Sequence, residues 1–134
     1  STIVKGDADA ALAGAGVGVK GRYVTDPVNG VPIEPRAVVA QWQGDKVTVW
    51  TSTQVPYAAR GGVAHTLQVP ESHVRVVVPL LGGGFGAKTP PYAEGLLLGW
   101  LSRRSGRPVR WMDTRTENMT GMMAKAKMFI AFRK

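Results

Sequence analysis

Residues 82–88, with the sequence GGGFGAK, form the part of the chain best suited to contact a ligand. Four of the first five residues are glycines, and they directly follow the largely apolar stretch 73–81. Because glycine has no Cβ, its backbone can turn N–H groups toward a group that lies very close. The pattern predicts a ligand-binding loop after a strand, with a flexible connector as the alternative.

This glycine-rich loop approaches two known phosphate-binding patterns without matching either. It nearly fits G-x-x-x-x-G-K-[ST], but Ala87 stands at the second glycine, and Pro90 and Pro91 follow where a helix should offer N–H donors. The dinucleotide pattern G-x-G-x-x-G also fails, and no acidic residue ends a strand about twenty residues later. Asp113 is a late and weak match to that acid. A free-standing anion-binding or phosphate-binding module therefore remains only an alternative.

Composition limits the other kinds of site. The 134 residues suit one domain, and the net charge of +8 suits a polyanion, an acidic protein surface or a phosphorylated cofactor. Basic residues are scattered along the chain, so no nucleic-acid partner is expected. Without cysteine, any redox centre must come from a bound cofactor. His65 and His73 lack carboxylates at metal-site spacing, so no metal-ligating or catalytic residue is predicted.

No apolar run reaches the roughly 18 residues that span a bilayer, and the first residues lack a signal-peptide core. We therefore expect no membrane span and a cytoplasmic location. Because the sequence does not begin with Met, we also expect a processed or excised segment.

Local patterns predict an α+β fold. Its two layers are a mixed β-sheet and helices packed on one face of it. Asp7 predicts the cap of a short helix that ends at Gly14 or Gly16. The remaining expected elements are a strand at 17–25, a turn at 26–30, a hairpin at 37–42 and 46–51, a helix at 56–67, a strand at 74–78, a helix at 92–104, and strands at 109–112 and 127–132.

Four stretches in order along the chain resemble signatures of the molybdenum hydroxylases. They are 31–36 (VPIEPR), 49–56 (VWTSTQVP), 82–88 (GGGFGAK) and 110–118 (RWMDTRTEN). The similarity is to the large subunits of the aerobic carbon monoxide dehydrogenase and aldehyde oxidase/xanthine dehydrogenase family. It implies that residues 1–134 form a single domain similar to the first part of a molybdenum cofactor-binding domain, with a divergent C-terminal end at 119–134.

The resemblance implies a molybdopterin cofactor in its cytosine dinucleotide form, which brings its own sulfur ligands. It implies that Gln54 hydrogen-bonds an oxo ligand of the metal, since a carboxamide donates without titrating. It also implies that Gly84, Phe85 and Gly86 lie over the metal and contact the cofactor. The alternatives from the residues alone are a polar residue at a strand end for Gln54 and a core residue for Phe85.

Two further residues of these stretches, Glu34 and Arg36, are read mainly as structural. Glu34 and Arg36 suit a surface ion pair. Lys88 either neutralises cofactor charge or is solvated. Thr89 stands where some family members carry a substrate-binding glutamate, which argues against purine-type recognition.

The resemblance therefore implies a fragment or small subunit of a molybdopterin-dependent oxidoreductase that acts on an aldehyde, carbon monoxide or an N-heterocycle. The family's catalytic glutamate and most pterin-enclosing segments are absent, so the isolated chain is expected to be inactive and to bind cofactor weakly or not at all. Implied partners are flavin-binding and iron–sulfur subunits, or a companion large-subunit chain, and a small-molecule substrate. The alternatives are the anion-binding module without redox activity and a non-catalytic scaffold.

Overall fold

The computed structural model describes residues 5–19, 21–24, 30–89 and 91–121. Contacts divide the chain into two compact units, one made of Ser1–Val28 with Lys125–Lys134 and the other of Asn29–Ala124. The predicted strand at 127–132 lies outside the described residues. So do residues 26–29 of the predicted turn and residues 122–134 of the expected C-terminal end.

The smaller unit contains one described helix, α1 (Ala8–Ala13). Asp7 caps it, because the Asp7 Oδ1 accepts a hydrogen bond from the Ala10 N–H at 2.9 Å. The predicted helix is confirmed. The strand predicted at 17–25 is wrong for the described residues 17–19 and 21–24, which are not in a strand. Val17 and Val19 are exposed, so their alternation has no core to face.

In the larger unit, two Val-rich stretches form the predicted hairpin. β1 (Ala37–Gln43) pairs antiparallel with β2 (Lys46–Thr51), and the buried residues on each strand alternate with more exposed ones. This is the pattern of a sheet with one face on the core. Gly44 lies in the two-residue turn at φ +61°, which glycine adopts without steric cost.

Two further strands extend the hairpin to a mixed sheet with the order β3-β2-β1-β4. β3 (Val74–Val77) runs parallel to β2, and β4 (Val109–Met112) runs antiparallel to β1. The connection from β2 to β3 passes through α2 (Pro56–Leu67) and a short 3₁₀ turn at Glu71–His73. A parallel pair requires a crossover of this kind.

Helices α2 and α3 (Ala93–Ser105) cover one face of this sheet. The core contains Val38, Ala40, Val47 and Val49 from the hairpin, with side chains from the two helices and β3 completing it: Val63, Ala64, Leu67, Val74 and Leu98. The Trp42 Nε1–H donates to the Gly99 carbonyl at 2.7 Å, which fixes α3 on β1. The α+β fold with helices on a mixed sheet is confirmed.

A last helix, α4 (Arg115–Gly121), was not predicted. It begins with a capping box. The Thr114 N–H and hydroxyl both donate to Glu117 Oε2 at 2.8 Å, and the Glu117 N–H donates to the Thr114 hydroxyl at 3.2 Å. The T-x-x-E spacing is a sequence signal for such a helix start.

Candidate functional site

Gln54 follows the end of β2 by three residues and forms hydrogen bonds with the glycine-rich loop. Its backbone N–H donates to the Lys88 carbonyl at 3.1 Å. Its side-chain Oε1 accepts two further hydrogen bonds, from the Gly86 N–H at 3.0 Å and the Lys88 N–H at 3.3 Å. Gln54 therefore fixes the second half of the loop through both its backbone and its side chain. The structure brings together the four residues predicted to bind cofactor, Gln54 and 84–86.

Three loop residues have positive φ angles, in the left-handed region of backbone conformation: Gly83 (φ +95°), Phe85 (φ +49°) and Gly86 (φ +82°). Glycine does this freely, whereas an L side chain such as that of Phe85 is strained by roughly 1–2 kcal/mol. The Phe85 side chain is also 69% exposed, so Phe85 is not the core residue that was one expectation. A strained, exposed aromatic residue is typical of a functional loop.

Close packing explains the glycine at one position in the loop and at another that packs against it. A Cβ on Gly84 would lie 2.3 Å from Gln54 Cδ, and one on Gly30 would lie 2.6 Å from Phe85 Cβ. By contrast, no atom of the described residues lies within 4 Å of a Cβ placed on Gly86. The loop therefore packs tightly on the side of Gln54 and is open at Gly86.

The N–H groups of the loop fall into two sets. Those of Gly82, Gly86, Ala87 and Lys88 donate to acceptors within the protein, the last three within or next to the loop. Among the described residues, the N–H groups of residues 83–85 and the Gln54 Nε2 amide form no hydrogen bond. Gln54 and Phe85 are exposed and Gly83 is half-buried, whereas Gly84 is buried, so the solvent-accessible donors of the site are one carboxamide NH₂ and the N–H groups of Gly83 and Phe85.

Lys88 is neither solvated nor free to neutralise a ligand. Its side chain is fully buried, and its Nζ lies 2.5 Å from Glu34 Oε2. The same Glu34 oxygen accepts a hydrogen bond from the Gly82 N–H at 2.9 Å. The expected surface ion pair between Glu34 and Arg36 is therefore wrong, because Glu34 instead holds the two ends of the glycine-rich loop.

Arg36 belongs to a buried cluster that sequence reasoning missed. Its guanidinium bonds Asp113 through two nitrogens, lies 3.7 Å from the Tyr92 ring centroid and is 3.6 Å from Glu94. Asn118 donates to Asp113 at 3.0 Å. Asp113 is thus an ion-pair partner of Arg36 rather than a ligand-binding acid, and the cluster joins the start of β1 to the end of β4.

The two histidines do not lie in a metal-binding cluster. Within the described ranges, no group of three or more His, Asp or Glu side chains could hold a metal ion. His73 Nδ1 lies 3.2 Å from the Asp45 carbonyl and 3.5 Å from its carboxylate. Of the helices in the same ranges, none combines the length and the apolar character that a bilayer span requires.

Known proteins similar to this chain identify its family. A family model described as the molybdopterin cofactor-binding domain matches residues 1–133. The aldehyde oxidoreductase molybdenum-binding subunit PaoC of Escherichia coli O157:H7 is 39% identical over 107 residues, 80% of this chain and 15% of that protein. The carbon monoxide dehydrogenase large chain of Hydrogenophaga pseudoflava is 35% identical over 119 residues, 87% of this chain and 15% of that protein.

A solved structure extends the match to the fold. The crystal structure of quinoline 2-oxidoreductase from Pseudomonas putida 86 superimposes with a TM-score of 0.65 at 39% identity, covering 84% of this chain and 14% of that one. This chain thus spans about 15% of the length of the curated relatives that it matches. It belongs to the molybdopterin cofactor-binding domain family of molybdenum hydroxylase large subunits.

Proposed function

We propose that this chain contributes the Gln54 carboxamide and the glycine-rich loop to the molybdenum site of a molybdopterin-dependent oxidoreductase. The observation that carries the proposal is the hydrogen bonding of Gln54. Its Oε1 is already occupied by the N–H groups of Gly86 and Lys88. The amide orientation is thereby fixed, and the Nε2 group is left as a donor toward a ligand.

The residues present fit such a cofactor. Oxo ligands and phosphate groups are hydrogen-bond acceptors, and the solvent-accessible donors here are the Gln54 amide and the N–H groups of Gly83 and Phe85. None of these donors titrates near neutral pH, so a ligand would meet the same donors over a wide pH range. The open space at Gly86 leaves room for a bulky group. When bound, the cofactor supplies a two-electron oxidation of the substrate with an oxygen atom from water, while these residues bind and orient it.

We further propose that the chain works as one part of a large subunit, together with flavin-binding and iron–sulfur subunits. Its short span relative to its relatives supports this view, since most of a complete site would have to come from other segments. The names of the three relatives refer to an aldehyde, carbon monoxide and quinoline. The substrate proposed here is therefore the broad class of aldehyde, carbon monoxide or N-heterocycle, and the cofactor form is the cytosine dinucleotide.

The test is elemental analysis of protein purified from a host that makes molybdopterin, together with any companion chains that co-purify. Gln54→Glu is the most informative variant. A carboxylate still accepts from the Gly86 and Lys88 N–H groups, but it cannot donate to an oxo ligand. We expect the wild type to carry molybdenum and phosphorus, and Gln54→Glu to lose most of both.

Gln43→Ala, at the exposed end of β1, is the matched control and should retain the wild-type content. The proposal fails if the wild-type protein carries neither element in any complex. It also fails if Gln54→Glu retains as much molybdenum as Gln43→Ala.

A second candidate is an anion-binding module without redox activity. The N–H groups of Gly83 and Phe85, which donate to no described residue, and the net charge of +8 support it. Titration with pyrophosphate at several salt concentrations would test it, since charge-driven binding weakens as salt increases. Saturable pyrophosphate binding by a protein that never carries molybdenum would favour this module over the oxidoreductase.

A further inference from the structure

The ion pair between Glu34 and Lys88 joins residues 54 positions apart in the sequence. The Lys88 side chain is fully buried, whereas Glu34 is 31% exposed. An ammonium group removed from water is costly unless it is paired and hydrogen-bonded. The Lys88 ammonium group therefore depends on Glu34 as its ion-pair partner.

One oxygen atom of Glu34 contacts both ends of the glycine-rich loop. Oε2 accepts from the Gly82 N–H at 2.9 Å and from Lys88 Nζ at 2.5 Å. The Glu34 backbone N–H also donates to the Gly82 carbonyl at 3.3 Å. In addition, a Cβ on Gly82 would lie 2.5 Å from Glu34 Cβ, so the two backbones are in close contact.

A loop of this composition needs such a contact. Its four glycines make many backbone conformations accessible, whereas the observed one presents the N–H groups of Gly86 and Lys88 to Gln54 Oε1. Gln54 fixes the second half of the loop, while Glu34 fixes the separation of its ends. A buried ion pair is weak evidence for stability, and its best-attested use is to select one conformation.

We propose that Glu34 and Lys88 are positioning residues that hold the glycine-rich loop in the conformation in which Gln54 can present its amide. This inference rests on the proposed function, because it assigns the pair to the same site. In this role Lys88 does not contact the cofactor, and the buried pair affects the cofactor only through Gln54.

The test is amide hydrogen exchange on the 134-residue chain, measured by NMR for the N–H groups of Gly86 and Lys88. Lys88→Met removes the charge but keeps an unbranched apolar stem, and Glu34→Gln keeps an acceptor for Gly82. In each variant we expect exchange of these two N–H groups to accelerate about tenfold, which corresponds to the loss of one charged hydrogen bond. Exchange in the β1–β2 hairpin should stay at the wild-type rate.

The matched control is the exposed pair of Arg60 and Glu71, whose side chains are 41% and 54% exposed. Arg60→Met and Glu71→Gln should leave both loop N–H groups unchanged. The positioning role is overturned if exchange in the loop does not change in Glu34→Gln. It is equally overturned if loop and hairpin accelerate together, which would indicate a general loss of stability. Should Lys88→Met not fold, Glu34→Gln decides alone, because Glu34 is partly exposed.

Molybdenum content, measured separately, distinguishes this inference from the proposed function. A wild-type protein that carries molybdenum, with an unchanged loop in Glu34→Gln, overturns only the positioning role. A wild-type protein that never carries molybdenum, with a loosened loop in Glu34→Gln, overturns only the proposed function.

Discussion

Arg36 and Asp113 form a buried ion pair in which Nε lies 2.5 Å from Oδ2 and Nη2 lies 3.1 Å from Oδ1. Arg36 directly precedes β1, and Asp113 directly follows β4. The Asp113 N–H also donates to the Arg36 carbonyl at 2.9 Å. Backbone and side-chain bonds together therefore fasten these two strands at one end of the sheet.

We expect Asp113→Ala to lower the free energy of unfolding by about 3–5 kcal/mol, because it leaves a buried guanidinium without its main partner. Urea unfolding provides the measurement. The control is Glu71→Ala, which breaks the exposed pair with Arg60 and should cost less than about 1 kcal/mol. Equal effects of the two variants would contradict the structural role of the buried pair.

Gly84→Ala should displace Gln54 while leaving the fold intact. The added Cβ would lie 2.3 Å from Gln54 Cδ, and the exposed Gln54 side chain can rotate away. The N–H groups of Gly86 and Lys88 would then lose their acceptor, which changes their NMR chemical shifts and accelerates their exchange. Gly16→Ala is the control, because within the described part of the chain no atom lies within 4 Å of the new Cβ. Unchanged signals for both N–H groups in Gly84→Ala would show that the contact with Gln54 is not formed.

Two glycines of α3 should respond oppositely to alanine. A Cβ on Gly99 would lie 2.8 Å from Leu67 Cδ1, in the core between α2 and α3, so Gly99→Ala should destabilise the protein by about 1–3 kcal/mol. In the ranges that the structure describes, no atom lies within 4 Å of a Cβ on Gly95, so Gly95→Ala should be neutral or stabilising by up to about 1 kcal/mol. Thermal unfolding of both variants tests the packing, and a stabilising Gly99→Ala would refute it.

Stability should depend on pH through Glu117. The backbone N–H of Thr114, its hydroxyl and, more weakly, the charge of Arg36 hold the pKa of Glu117 below its ordinary value of 4.5. A lowered folded-state pKa stabilises the protein above the unfolded-state pKa, and this contribution is lost as the pH falls through the lowered value. We expect Glu117→Gln to be less stable than wild type at pH 7.

Urea midpoints measured from pH 7 down to pH 2 check this behaviour. The difference between wild type and Glu117→Gln should shrink as the pH falls below 4.5. A difference that is constant over the whole range would rule out a contribution from the Glu117 charge.

Local patterns predicted the elements that depend on local physics. The hairpin followed from alternating Val residues around Gly44, and helix α2 began at Pro56 as expected. The strand expected at 17–25 is not formed by its described residues. Alternation of apolar and polar residues stabilises a strand only where another strand pairs with it and a core packs against its apolar face. Helix α4 was missed although Thr114 and Glu117 have the spacing of a capping box.

The site was only partly predictable. The resemblance to molybdenum hydroxylases singled out Gln54 and the glycine-rich loop, and the structure places them in contact. The partners of Glu34, Lys88 and Arg36 could not be predicted, because they lie 48 to 77 positions away in the sequence. The division of loop N–H groups into occupied and outward donors likewise depends on the final backbone path.

The sheet order has a consequence for how the protein is synthesised. β1 pairs with β2 across a two-residue turn, but its other neighbour, β4, begins only at Val109. Until the ribosome has released that strand, the free side of β1 has unpaired backbone groups open to other chains. A nascent polypeptide that ends before β4 therefore exposes an edge for intermolecular strand pairing that the finished sheet covers.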